Sequence, residues 1–214
     1  MRVVITCGPS YEPIDRVRRI TNFSTGELGV LLARHCVEAG AEVLCLMGEA
    51  ATWPGRPEGV EPVRFSTNDD LLARLRAIPE PGQVDYFFHA AALADFKVTK
   101  VTGPGGELLV EGKIASRSGA LTLRLEPAVK LIGHLRTLFP NAWIAGWKYE
   151  LDGSREEAVA KALRQIAENR IDASFVNGTA YGDGFGHVGR DGLITHYPSK
   201  ETLCAALIPH PANA

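Results

Sequence analysis

An apolar run at residues 2–7, a helical pattern at 26–39 and a second apolar run at 42–47 open the chain. This strand–helix–strand order limits the fold more than any other feature. The helical segment carries Leu28, Leu31, Leu32, Cys36 and Val37 at helical spacing, and Gly40 ends it. A weaker strand is expected at 60–66. Asn68 is placed to cap a helix through Leu71, Leu72, Leu75 and Ile78, and 85–89 reads as a further strand. The alternation breaks after Asp95. Residues 97–125 are rich in Gly, Val and Thr and hold short alternating runs, which read as an antiparallel flap. Helix and strand then resume at 129–138 and 143–147. Ser154 is positioned to cap a helix through Asn169, and a strand follows at 173–176. A glycine-rich hairpin at 185–196 and a helix near Thr202 complete the chain.

Such alternation predicts an α/β fold, a Rossmann-like open, mostly parallel sheet with helices on both faces. A small antiparallel flap or dimerisation element is added to it. The 214 residues, 45 % of them hydrophobic, suffice for one α/β nucleotide-binding domain spanning 1–214. The 96–125 flap and the 181–197 hairpin lie within it. The net charge is -2, without the basic surplus of a nucleic-acid binder, although Arg16, Arg18 and Arg19 cluster locally. Apolar runs fall far short of the ~20 residues of a membrane helix. The first strand begins at once, so no signal peptide is expected. Cys7, Cys36, Cys45 and Cys204 fit neither a zinc site nor a disulfide framework, and read as inert thiols of a reduced, cytoplasmic protein.

The loop at 8–29 leaves the carboxyl end of the first strand, where ligands bind in open α/β sheets. It closes with Ser24-Thr25-Gly26-x-x-Gly29 at a helix start. Ser24 or Thr25 can cap that helix. Its free N–H groups and dipole can hold an anion, and Gly8, Gly26 and Gly29 let a phosphate or another backbone approach. Glu49 lies ~20 residues beyond Gly29, as a nicotinamide-dinucleotide fingerprint asks. That fingerprint also needs its glycines in one tight turn, whereas residues 9–25 separate Gly8 from Gly26 here.

Four further features fall at the same sheet edge. Small residues at 90–94, Ala91 and Ala92 among them, leave room for a ligand, and Asp95 can bond a ribose or base or cap the next turn. Lys113, beside Gly112, can close over phosphates or remain solvated. Trp147, followed by Lys148, can stack on a base or fill the core. Asn177-Gly178 ends the next strand as a site residue or a turn. The six histidines form no metal cluster, and His89 and His187 read as structural.

The motif Gly8-Pro-Ser-x-Glu-Pro-Ile-Asp-x-Val-Arg18-x-Ile-Thr-Asn22-Phe-Ser-Thr-Gly26-x-x-Gly29 resembles the opening motif of phosphopantothenate–cysteine ligases. The 90–95, 112–114, 121–125 and 146–150 segments and Asn177 look like that family's later motifs, in order along nearly the whole chain. The resemblance implies a ligase of coenzyme A biosynthesis that joins 4′-phosphopantothenate to L-cysteine. It would use Mg²⁺ and CTP or ATP, through an acyl-nucleotide intermediate, with release of pyrophosphate. It implies Asn22 on the acyl carbonyl, Lys113 on the phosphates and Arg18 on the substrate side. Ala91 and Ala92 would lie against the nucleotide or intermediate, Asp95 would address the nucleotide, and Trp147 would sit by the base. Gly8, Ser24, Thr25, Gly26, Gly29 and Lys148 complete the implied nucleotide site. The metal would be held by the triphosphate, without protein ligands.

The resemblance further implies a homodimer meeting through the flap and the late hairpin. No membrane or nucleic acid takes part, and with Met1 at the first strand a free-standing, flavin-free ligase is expected. Ala115 and Ser116 stand where the common bacterial form has lysines. Gln165 and Asn169 stand near two more, with Lys161, Arg164 and Arg170 close by, and Asn177-Gly178 replaces an Asn-Asp pair. CTP and ATP therefore both stay open. The competing readings are a nicotinamide-dependent reductase and a non-catalytic nucleotide-binding relative.

Overall fold

The computed structural model describes residues 1–55, 59–110, 112–115, 117 and 119–207. Ser116 and the end of the chain after Leu207 lie outside the described residues. Eight strands form one sheet. They are β1 (Arg2–Cys7), β4 (Glu42–Gly48), β5 (Val63–Phe65), β6 (Tyr86–His89), β9 (Trp143–Tyr149), β10 (Ala173–Gly178), β11 (Gly182–Gly189) and β12 (Ile194–Tyr197). Their order is β12-β11-β10-β9-β6-β1-β4-β5. The six from β10 to β5 are parallel, and β11 and β12 add an antiparallel edge. The chain reverses direction across the sheet at β1, flanked by β4 and β6, and such a switch point opens a crevice at the strands' carboxyl ends.

The expected helices cover both faces. On one lie α1 (Glu27–Glu38) and α5 (Lys200–Ala206), packed with Ile5, Phe88, Ala145 and Phe175. On the other lie α2 (Asn68–Arg76), α3 (Ile132–Leu138) and α4 (Arg155–Asn169), over Val4, Phe87, Ile144 and Val176. Successive residues of each strand thus feed opposite cores, as the period of two requires. Ser154 caps α4 with a full capping box through Glu157. All four cysteines are free and buried.

Four local expectations need correction. The α2 cap is Thr67, whose hydroxyl accepts the Asp70 N–H; Asn68 is the first helical residue, 2 % exposed, with its side chain turned inward. The α1 cap is Gly26 at φ 87°, a conformation in which Ser or Thr would be strained. Thr25 reaches only the Glu27 N–H, at 3.3 Å. The loop at 8–29 contains a small hairpin, β2 (Tyr11–Pro13) with β3 (Arg19–Thr21). Finally, α3 begins at Ile132, which leaves 129–131 as an irregular segment leading into it. The flap is the antiparallel pair β7 (Phe96–Thr102) and β8 (Thr122–Pro127).

Candidate active site

The two segments that leave β1 and β6 are stitched together. The Ala92 N–H donates to Gly8 O at 3.0 Å, and the Ser10 N–H donates to Ala92 O at 3.2 Å. Ser10 Oγ accepts the Ala94 N–H at 2.8 Å, and Thr21 Oγ1 donates to Ser10 O. Asn22 Nδ2 donates to both Ala92 O and Leu93 O at 3.1 Å. These carbonyls orient the Asn22 amide, on a residue that is itself exposed.

The flap is latched to the same loop. Asp15, its side chain 1 % exposed, accepts from the backbone N–H groups of Val17, Arg18 and Ile114. Arg18 donates to Asp15 at 2.6 Å and to the Ile114 carbonyl, and the Arg16 N–H donates to Gly112 O at 2.9 Å. Burial opposes the Asp15 charge, but the three amides and Arg18 outweigh it and hold the carboxyl well below its usual range. Arg18 is thus committed to fixing the segment around Lys113. Lys113 itself is exposed.

The loop glycines meet protein atoms. A Cβ on Gly29 would lie 2.1 Å from Cys7 Cβ, one on Gly8 2.9 Å from Ala51 Cβ, and one on Gly26 3.2 Å from Ala51 Cβ. Of the two partners considered for them, the structure supplies close packing of helix and neighbouring loop. Asn177 O accepts the Glu150 N–H at 2.8 Å, and Gly178, at φ 109°, turns against Glu150 backbone.

A cleft of about 550 Å³ opens at the carboxyl ends of β6 and β9, under α4. Ala91, Leu93, Ala94 and Asp95 form one wall, and 129–132 another. Four basic side chains line it, Lys130, Lys148, Lys161 and Arg164, against two carboxylates, Asp95 and Glu168. Lys130 pairs with Asp95 at the rim, and Lys161 with Glu150 at 2.5 Å. Lys148 and Arg164 have no carboxylate partner among the described residues, so the cleft suits a polyanion. Trp147 borders the cleft, but its ring stacks on Phe175 at 4.5 Å, on the α1 side. Its Nε1 is buried without an acceptor. Gln165 accepts from Ser174 Oγ at 2.6 Å and lies over Gly146, where a Cβ would meet its Oε1 at 2.9 Å. Arg170 belongs elsewhere, at the opposite end of the strands beside Arg136 and Asp172.

The cleft therefore gathers Ala91, Asp95, Trp147 and Lys148 from the expected nucleotide residues. Asn22, Ala92, Arg18 and Lys113 belong to the stitched loop and latch beside it. Gly8, Ser24, Thr25, Gly26 and Gly29 form the base of that loop. Sequence reasoning missed Asn68, Lys130 and Glu168 as cleft residues and read His89 as structural. Asn68 bridges two walls, its Nδ2 donating to Ala94 O and Val129 O. For Lys130 and Glu168 no local signal exists, but the i, i+4 spacing of Lys161, Gln165 and Asn169 marks one face of α4.

Residues 1–202 match the family described as the DNA/pantothenate metabolism flavoprotein C-terminal domain. A coenzyme A biosynthesis bifunctional protein CoaBC of Thermococcus kodakarensis is 30 % identical over 178 residues, 82 % of this chain and 41 % of that protein. The chain spans less than half the length of the curated relatives it matches first. The DNA/pantothenate metabolism flavoprotein from Streptococcus pneumoniae superposes with a TM-score of 0.82 at 22 % identity, covering 97 % of this chain and 96 % of that one. A Cab2 mutant, H337A, in complex with phosphopantothenate-cysteine gives 0.70 at 18 %, covering 97 % and 84 %. The last two likenesses establish the shared fold.

Proposed function

The chain belongs to the DNA/pantothenate metabolism flavoprotein C-terminal domain family, and on that premise we propose that it is a phosphopantothenate–cysteine ligase of coenzyme A biosynthesis. The observation that carries the reading is the cation-lined cleft at the carboxyl ends of β6 and β9, walled by Ala91, Leu93, Ala94 and Asp95 and stitched to the Asn22 loop. A carboxylate oxygen of 4′-phosphopantothenate attacks the α-phosphorus of CTP or ATP. The bond to the β-phosphate oxygen breaks, and pyrophosphate leaves. The cysteine amine then attacks the acyl carbon. A C–N bond forms, the nucleoside monophosphate departs, and the amine proton passes to solvent. Bringing anions together is mostly positioning and charge neutralisation.

Lys148, Lys161 and Arg164 hold the triphosphate in the place of the lysines lacking at 165 and 169. Asp95 and Trp147 border the nucleoside, while Asn22 and Ala92 face the acyl group. Lys113, on its latched segment, closes over the phosphates. Mg²⁺, when bound, neutralises phosphate charge. The reaction needs no flavin. The chain acts as one α/β unit, in the cytoplasm, as a homodimer. Exposed Leu108, Val110 and Leu125 on the flap and Leu193 on the hairpin support those surfaces for it. No described helix is long and apolar enough to cross a membrane.

The test combines the protein with 4′-phosphopantothenate, cysteine, Mg²⁺ and either CTP or ATP, and follows pyrophosphate. Release with one nucleotide only assigns the base preference; release with neither removes the reading.

A further inference from the structure

His89 ends β6, is 7 % exposed, and lines the same cleft as Ala91 and Lys148. Its register partner on β1 is Thr6, wholly buried, and Thr6 Oγ1 lies 2.7 Å from His89 Nδ1. This contact discriminates between the two tautomers. The Thr6 hydroxyl carries one hydrogen, and Nδ1 is its only hydrogen-bond partner among the described residues. Were Nδ1 to carry the ring proton, the hydroxyl would have no acceptor in a site closed to water, at the cost of an unmade buried hydrogen bond. The hydroxyl therefore donates to Nδ1, and the ring proton sits on Nε2. Nε2 has no protein partner among the described residues.

We propose that His89 is a fixed neutral donor of the cleft, its Nε2–H given to a phosphate oxygen of the bound nucleoside triphosphate. Four cations already line this space, and a neutral donor adds a hydrogen bond without adding to their mutual repulsion. Burial reinforces the assignment by pushing the imidazole down to about 4, so the ring stays uncharged at neutral pH. The residue acts in binding and needs no proton transfer. The inference rests on the nucleotide reading of the cleft.

Two measurements test it. In protein labelled with ¹⁵N-histidine, NMR should show His89 protonated at Nε2 and bare at Nδ1 between pH 6 and 8; the opposite tautomer overturns the proposal whatever the nucleotide result. Calorimetric titration then compares variants with CTP and ATP, and with cytidine and adenosine. His89→Leu should weaken triphosphate binding about tenfold or more, the scale of a hydrogen bond to a charged group. It should leave nucleoside binding unchanged. His89→Gln, which carries an amide N–H near the Nε2 position, should retain most of the affinity. Unchanged triphosphate binding in His89→Leu, or an equal loss for nucleoside and triphosphate, overturns the assignment to phosphate. Wild-type protein that binds neither nucleotide removes the cleft reading itself, while the tautomer still decides whether His89 is a fixed donor.

Discussion

Asp15 and Ile114 stand 99 positions apart in sequence, and the Asp15 carboxylate accepts the Ile114 N–H at 3.1 Å. With Arg18 bridging the same carboxylate and the Ile114 carbonyl, the first loop and the flap segment form one latch around Lys113. Asp15→Asn keeps the shape but removes the charge that three amides and a guanidinium converge on. The expected result is faster hydrogen exchange at Ile114, faster tryptic cleavage after Lys113, and a fall in ligase turnover with nucleotide affinity retained. An Ile114 amide as protected as in the wild type would show that the latch does not depend on the charge.

The latch also sets a pH dependence. Asp15 is held well below its usual range in the folded protein, so the unfolded chain takes up the proton first as pH falls. Its stabilisation is complete above about pH 4, the ordinary value for Asp, and is lost as pH drops through the folded value. In urea titrations the advantage of wild type over Asp15→Asn should be constant from pH 5 to 7 and shrink below pH 4. An advantage that grew toward acid would reverse the sign of the argument.

Gly29 tests how the first loop uses its glycines. A methyl group there would overlap Cys7 Cβ at 2.1 Å, and each Cβ is bonded directly to its own Cα, so neither can swing away by a side-chain rotation. Gly29→Ala should cost about 1–3 kcal/mol or more, read as a lower urea midpoint at unchanged slope. Cys7→Ala keeps the obstructing Cβ and should not rescue; Cys7→Gly removes it and should recover part of the loss. Were Gly29→Ala to keep full stability yet lose nucleotide affinity, the glycine would serve the ligand instead.

Most of the α/β frame was legible because its signals are local. The stripe of Leu31, Leu32 and Cys36 and the Ser154 capping box each fix a helix within a few residues. The Asn68 expectation failed where two neighbouring residues could both cap. Thr67 took the cap, and Asn68 was drawn to carbonyls 26 and 61 positions away. The same physics hid the site. The order of the motifs placed Ala91, Asp95 and Trp147 at one sheet edge. Whether Trp147 faces a ligand or Phe175, or whether Arg18 serves substrate or Asp15, depends on partners that sequence spacing does not name.

Arg164 and Arg170 give the sharpest test of the cleft. Both lie near the missing lysine positions, and either could replace them by charge alone. The fold separates them. Arg164 lines the cleft without a carboxylate partner, whereas Arg170, in the left-handed conformation that ends α4, sits beside Arg136 and Asp172 at the opposite end of the strands. An unpaired guanidinium in a partly enclosed site keeps its attraction for phosphate, and a charge beyond a Debye length of about 8 Å is screened. Arg164→Ala should therefore raise KM for the nucleoside triphosphate about tenfold or more, with a smaller change in KM for cysteine. Arg170→Ala should leave both within about twofold, since its cap position and distance keep it out of the reaction. Initial-rate kinetics on the two variants separate the cases, and equal effects would mean that α4 does not present the triphosphate with the face that lines the cleft.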